Sequence, residues 1–394
     1  MGTDQQHLSK SFQEFFDSEK SNGILLIICT VASLLITNSA VGSAYLNMWH
    51  TKVGGLSLEH WVNDALMAVF FLLIGLELER ELYNGELSSL QNALLPIFAA
   101  IGGIAVPALI HFTLNSGTPT QAGFGIPMAT DIAFVLGVLA MLGKRIPASL
   151  KVFVVAFAVI DDLCAIIIIA VFYTAQLSIA YLAGAFAVWA LLLGLNRIFR
   201  VMSLAPYVLG GVLMWFFMLK SGIHATIAGV MLAFAIPFSA KEDDEKSPSH
   251  RLEHVLHKPV AFVILPIFAL ANTGILIGAD WMQSLTSANS IGIMAGLFLG
   301  KPLGVTLLCF IAVAGGICRL PPDLKWGHIL GAGVLGGIGF TMSIFITNLA
   351  FAEDAQIINA SKMAILLSSL MAGICGFLWL KLVTNTETVN KRSG

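Results

Sequence analysis

Charge is scarce in this sequence. Only 21 Lys+Arg and 23 Asp+Glu occur among 394 residues, 11% of the chain, against about 25% in an ordinary soluble domain. A water-soluble fold is thereby excluded. Cysteine is scarce as well: Cys29, Cys164, Cys309, Cys318 and Cys375 are scattered, most of them in apolar runs, so neither a disulfide framework nor a metal cluster is expected. A basic excess is absent too, and a net charge of −2 leaves no face for nucleic acid. Hydrophobic residues fill the chain instead, at 57% with a mean hydropathy of +0.87. Twelve helices of roughly 20 residues would take up ~240 residues, which makes the expected fold class an all-α polytopic membrane protein.

Apolar runs bounded by charge, Pro and Gly predict twelve spans, near 23–40, 61–82, 93–114, 123–142, 149–174, 178–197, 205–219, 222–237, 257–276, 290–313, 327–350 and 359–381. They form one transmembrane domain over 23–382, between a polar N-terminal segment, 1–22, and a tail, 383–394. The N-terminal segment lacks the pattern of a removable signal peptide. In it Leu8, Phe12, Phe15 and Phe16 recur at helical spacing, the mark of a short interfacial helix or else of a mostly disordered tail. With the N-terminus inside, only Lys52, Lys220 and Lys362 fall outside and Lys301 within a span; every other Lys and Arg lies on the inner side. Both termini are therefore expected in the cytoplasm. In the first outer loop, Thr51-Lys52-Val53-Gly54-Gly55-Leu56-Ser57-Leu58 reads either as a β-hairpin around Gly-Gly or as an irregular loop.

An ionised group at the centre of a membrane helix costs at least ~2.5–3.5 kcal/mol, so such residues are candidates for function. Five stand out: Asp64, Asp131, Asp161, Asp162 and Lys301. Adjacent helical residues project about 100° apart, so Asp161 and Asp162 face different neighbours. Two carboxylates this close resist joint ionisation in low dielectric, and such a site takes up protons or a metal cation. Lys301, before a proline and between Gly300 and Gly304, is expected to pair with one of the aspartates. A purely structural network remains the competing account.

Two spans read as broken. Gly123-Phe124-Gly125-Ile126-Pro127 precedes Thr130-Asp131, and a run with Gly331, Gly333, Gly336, Gly337 and Gly339 precedes Thr341 and Ser343. Gly and Pro loosen the helical ladder, and paired interrupted helices in two halves of a chain mark transporter sites; close helix packing is the other use of such glycines. Glu77, Glu79, Arg80 and Glu81 form a charged cluster at the inner end of span 2, and Arg251, Glu253, His254 and His257 lie at the inner start of span 9; together they read either as a pH-responsive funnel or as plain interfacial anchors. His224 reads as a hydrogen-bonded packing residue.

The stretches WVNDALMAVFFLLIGLELERE, IPMATDIAFVLGVLAMLG, FAVIDDLCAIIIIAVFYT, LKSGIHATIAGV, RLEHVLH, LFLGKPLGV and GGIGFTMSIFI, in order over nearly the whole chain, resemble the bacterial sodium/proton antiporter family NhaA. The resemblance implies a bacterial inner-membrane protein with twelve spans. In it spans 3–5 and 10–12 form an inverted repeat whose discontinuous fourth and eleventh helices cross at mid-membrane. It implies electrogenic exchange of Na⁺ or Li⁺ for about two protons, with no cofactor and no enzymatic reaction. Asp162 and Asp161 would then bind the cation and protons, with Thr130 beside them, Lys301 would pair with Asp161, Asp131 and Thr130 would offset the helix dipoles, and Asp64 would support the site. Glu77, Arg80, Glu81, Glu253, His254 and His257 match the family's pH-response region. Two departures, Glu79 for a basic residue and His250 for a lysine, bear on the pH threshold. The 50–60 loop fits the family's dimer hairpin loosely, so a homodimer is the expected assembly.

Rival readings account for less. A channel would need a continuous polar path, and an intramembrane aspartyl protease would carry its aspartates on separate helices. A retinal protein has fewer spans than twelve, and a symporter of organic anions sits poorly with paired carboxylates.

Overall fold

The computed structural model describes residues 10–174, 177–239, 247–278, 281–352 and 354–390. Leu8 and residues 391–394 of the expected tail lie outside them. Helix α1 runs Lys10–Thr37, so residues 10–22 continue into the first span without a break. It is followed by α2, Gly42–His50, across a bend of 113°. Only glycine fits at 42, because a Cβ there would stand 1.9 Å from the Thr37 carbonyl oxygen.

Then come strands β1, Lys52–Val53, and β2, Leu56–Ser57, antiparallel with Lys52 opposite Ser57 and Val53 opposite Leu56. Gly54 and Gly55 turn the hairpin at φ +63° and +92°, angles that glycine adopts without strain. The loop is therefore a hairpin, and Trp61 Nε1 donates to the Val53 carbonyl at 2.8 Å.

The remaining helices are α3 Leu58–Tyr83, α4 Leu90–Asn115, a 3₁₀ segment Pro119–Met128 leading to α5 Ile132–Leu142, α6 Ala148–Phe172, α7 Ile179–Arg197, α8 Ala205–Ser221, α9 Ile227–Ala233, α10 Pro248–Asn272, α11 Trp281–Leu285, α12 Ala288–Ala314, α13 Trp326–Gly336, α14 Phe340–Ala350 and α15 Ala355–Asn390. Among the described residues eight helices are long and apolar enough to cross a membrane, and up to ten if each bent pair counts as one span. This is an all-α polytopic membrane protein. The run 222–237 departs most from its expected span: its helix α9 has 7 residues, a rise of about 10 Å against the ~30 Å hydrocarbon core.

The chain divides into two compact units. The first comprises residues 1–28, 90–161 and 277–394. In it α4 lies along α12 at backbone contact, because a Cβ on Gly102 or on Gly304 would stand 2.0 Å from the other's carbonyl oxygen; small residues permit this in membranes. Its core gathers Leu95, Leu136, Phe153, Phe157, Val305 and Leu335. The second unit comprises 29–89 and 162–276. There Gly229 of α9 meets the Ala68 carbonyl of α3, around a core with Leu76, Leu192, Tyr207, Met214 and Leu232. The division falls inside α6, between Asp161 and Asp162.

Among the described residues three helices carry a π-helical turn, in which an N–H reaches back five residues. In α3 Met67 bonds Val62, in α10 Leu265 bonds Val260, and in α12 Lys301 bonds Gly296. In the last two a proline follows at once, Pro266 and Pro302. A proline ring clashes with the carbonyl four residues back, and widening the preceding turn relieves the clash. Such turns recur at functional sites.

Candidate functional site

Both expected breaks are present in the first unit. Between Met128 and Ile132 the chain is extended at Ala129 and Asp131, and α13 and α14 are separated by residues 337–339 at a bend of 45°. The two breaks meet. Asp131 N–H donates to the Ile338 carbonyl at 2.6 Å, Thr130 Oγ1 to the Gly336 carbonyl at 2.9 Å, and Ser343 Oγ to the Ile126 carbonyl at 2.7 Å. Backbone groups freed by unwinding are thus taken up by the opposite segment, as low dielectric requires.

Asp131 joins two helix starts. One carboxylate oxygen caps α5 by accepting from Phe134 N–H at 3.3 Å, and the other accepts from the N–H and hydroxyl of Thr341 in the first turn of α14, at 3.0 and 2.7 Å. One negative charge so faces the positive ends of two helices. The opposite ends, Met128 and Gly336, present carbonyl oxygens, which accept from Lys301 Nζ and Thr130 Oγ1.

Lys301 Nζ lies 2.9 Å from both carboxylate oxygens of Asp161, and both side chains are 0% exposed. Its ammonium also sits 5.6 Å from the centre of the Phe157 ring, and Thr130 lies beside the same carboxylate. The π turn ahead of Lys301 sets the rotation of this residue. Thr130, Asp131, Asp161 and Lys301 therefore converge in one buried network.

In the second unit Asp162 is 2% exposed. Asp64 is half-buried on the π turn of α3, where its carbonyl accepts from Trp215 Nε1 at 3.0 Å. His224 packs as expected, with Nε2 2.8 Å from the Tyr173 carbonyl.

Of the charges at the span ends, Arg80 pairs through Nη1 with Glu253 and reaches Glu81 at 3.8 Å; Glu77 adds its charge to Arg80. His257 is half-buried, whereas His254 is exposed. Glu79 is only 6% exposed, turned toward Arg197 and Ser249, with Oε2 lacking a hydrogen-bond partner among the described residues. Nothing in its own stretch signals these two neighbours, which come from α7 and α10. The carbonyls of Met128 and Gly336 also escape a reading that considers side chains alone. The π turn at Lys301, in contrast, had a signal in Pro302.

Among the described residues no group of three or more His, Cys, Asp or Glu is arranged around a metal position. The chain matches the family described as Na⁺/H⁺ antiporter 1 over residues 13–380. It is 74% identical over 380 residues to the Na⁺/H⁺ antiporter NhaA of Dechloromonas aromatica, covering 96% of this chain and 98% of the relative. Identity to the Cytophaga hutchinsonii Na⁺/H⁺ antiporter NhaA is 58% over 384 residues, 98% of each chain, and to the Vibrio campbellii NhaA 49% over 370 residues, 93% of this chain and 94% of the relative. By the length and depth of these matches, the chain belongs to the Na⁺/H⁺ antiporter 1 family.

Proposed function

We propose that this protein exports Na⁺, or Li⁺, across the bacterial inner membrane in exchange for about two protons, electrogenically and under pH control. The observation that carries this reading is the fully buried Lys301–Asp161 pair beside Asp162, at the depth where two broken helices meet. A buried carboxylate is stable only if a cation or a proton neutralises it. Lys301 pairs with Asp161, and Asp162 is the second carboxylate at which Na⁺ and a proton compete. Arrival of either at Asp161 releases Lys301, and competition for the same oxygens makes loading of one ion expel the other. Alternation of the site between the two faces then lets the proton-motive force drive Na⁺ out.

The finer parts of the proposal follow the family pattern. Twelve spans with both termini cytoplasmic form one domain over 23–382, with 1–22 and 383–394 as cytoplasmic segments, and spans 3–5 and 10–12 make an inverted repeat. Asp161, Asp162 and Thr130 hold the cation and protons, Asp64, Asp131 and Lys301 balance charge, and Glu77, Arg80, Glu81, Glu253, His254 and His257 shape the pH response. The hairpin at 52–57 is the contact of a homodimer, since an isolated hairpin gains stability by pairing with more strands. No cofactor is needed.

The test is the response of an acridine-type pH dye in everted vesicles to added Na⁺ over a range of pH. Na⁺ should dissipate the proton gradient with wild type and not with Asp162→Asn. Absence of any response at any pH from folded wild type would overturn the reading.

A further inference from the structure

On α4, Gly103, Pro107 and His111 recur every fourth residue and share one face. That face follows α12 outward from the Lys301 pair: Gly103 backs onto Lys301, Pro107 onto Gly300 and Gly296, and His111 onto Gly292. Gly103 and His111 are eight residues apart, about 12 Å along the helix.

His111 is 0% exposed. Its Nε2 lies 3.0 Å from Asn289 Oδ1, and Asn289 Nδ2 donates to Ser361 Oγ at 2.7 Å. The second bond orients the amide with its oxygen toward the ring, so Nε2 carries the hydrogen in this network. Nδ1 is then a buried lone pair with no partner among the described residues. A histidine kept only for packing would satisfy both nitrogens or be replaced by an apolar ring.

The groups facing it are neutral. Asn289 of α12, Phe351 after α14 and the His111 ring crowd within 3.2 Å of the position a Cβ would take on Gly123. Asn115 donates to the His111 carbonyl at 2.9 Å and to that of Ala288 at 3.1 Å. Among the described residues the charges nearest along these elements are Asp354, three residues past Phe351, Lys362, beside Ser361, and Lys301 inward.

Resting on the antiport reading and its orientation, the geometry points to His111 as a proton-handling residue of the transporter's outer half. Nδ1 takes a proton arriving from the outer face and forms an imidazolium without disturbing the Nε2 bond to Asn289. It then gives that proton to water, which carries it on toward the Lys301–Asp161 pair. On uptake an O–H bond of hydronium breaks as the Nδ1–H bond forms, and on release the Nδ1–H bond breaks as hydronium forms again.

The experiment uses the full chain in oriented proteoliposomes, with outer pH varied and inner pH fixed, for wild type and His111→Gln. Proton-driven exchange in His111→Gln should slow about a hundredfold, the lower range for loss of a positioned proton-transfer group, and lose its outer-pH titration. Equilibrium Na⁺ binding and the melting temperature should match wild type. An unchanged outer-pH profile in folded His111→Gln, or equal loss of Na⁺ binding and exchange at every pH, would overturn the inference. Should the variant not fold, ¹⁵N-histidine spectra of wild type decide. An Nε2–H ring that becomes imidazolium as outer pH falls supports the inference, and a ring neutral throughout refutes it. Absence of Na⁺-linked proton movement in wild type would instead defeat the antiport reading itself.

Discussion

The pairs Lys301–Asp161 and Arg80–Glu253 are both contacts between a base and a carboxylate, yet their surroundings differ. The first is sealed on every side, at 0% exposure for both partners, and is held by two short bonds to one ammonium. The second leaves Arg80 39% and Glu253 10% exposed, shares its guanidinium with Glu81, and has an exposed His254 next in sequence. Burial turns one chemical motif into two devices. Water cannot replace a partner lost from the sealed pair, so its two states differ greatly in energy. Around the exposed pair water and salt screen the charges, and small changes in pH or occupancy suffice to alter them.

That contrast can be broken in order of expected effect. The largest is Asp162→Asn, which should abolish Na⁺-linked proton movement in everted vesicles while the melting temperature in detergent holds; robust exchange would remove Asp162 from the site. Next, Lys301→Ala leaves the Asp161 carboxylate buried without its cation and should cost about 3–5 kcal/mol, read as a large fall in melting temperature. Adding Asp161→Asn to it should recover much of that loss, and an unchanged melting temperature in the single variant would contradict the assignment. Arg80→Ala should cost only about 0–1 kcal/mol and move the pH midpoint of the Na⁺ response without lowering its maximum, more so at low salt; a collapse of the maximum would place Arg80 in the transport step. Smallest is Glu79→Gln, which keeps the shape of the side chain and removes its charge beside Arg197. The pH midpoint should shift and stability hardly change, whereas no shift would make Glu79 a bystander.

The elements legible in the sequence are those with local causes. Gly123, Gly125 and Pro127 announce a break because they act on their own backbone, and Gly54-Gly55 announces a hairpin turn for the same reason. Aspartates and a lysine in apolar runs stand out because hydrocarbon makes them costly. What depends on distant segments was not legible: that one Asp131 carboxylate would serve the starts of both α5 and α14, or that Glu79 would turn inward to Arg197 and Ser249. The stretch 222–237 shows a different failure, since apolar composition predicts burial but not that it is buried as one long helix. There α9 is only 7 residues long and packs through Gly229 against the backbone of α3.

The π turn ahead of Lys301 has one consequence for sequence change. Because Lys301 N–H reaches Gly296 rather than Leu297, α12 holds one residue more than a regular helix of that length, and its two halves are out of phase by about 100°. Deleting one residue from Gly296–Gly300 would bring the halves into phase and make a more regular helix. It would also swing every residue on one side of the deletion around the axis, so that the contacts of His111 with Asn289 and of Lys301 with Asp161 could not both be kept. Length in this stretch is therefore constrained as tightly as the identity of the lysine, and natural variation in it should take the form of substitutions rather than insertions or deletions.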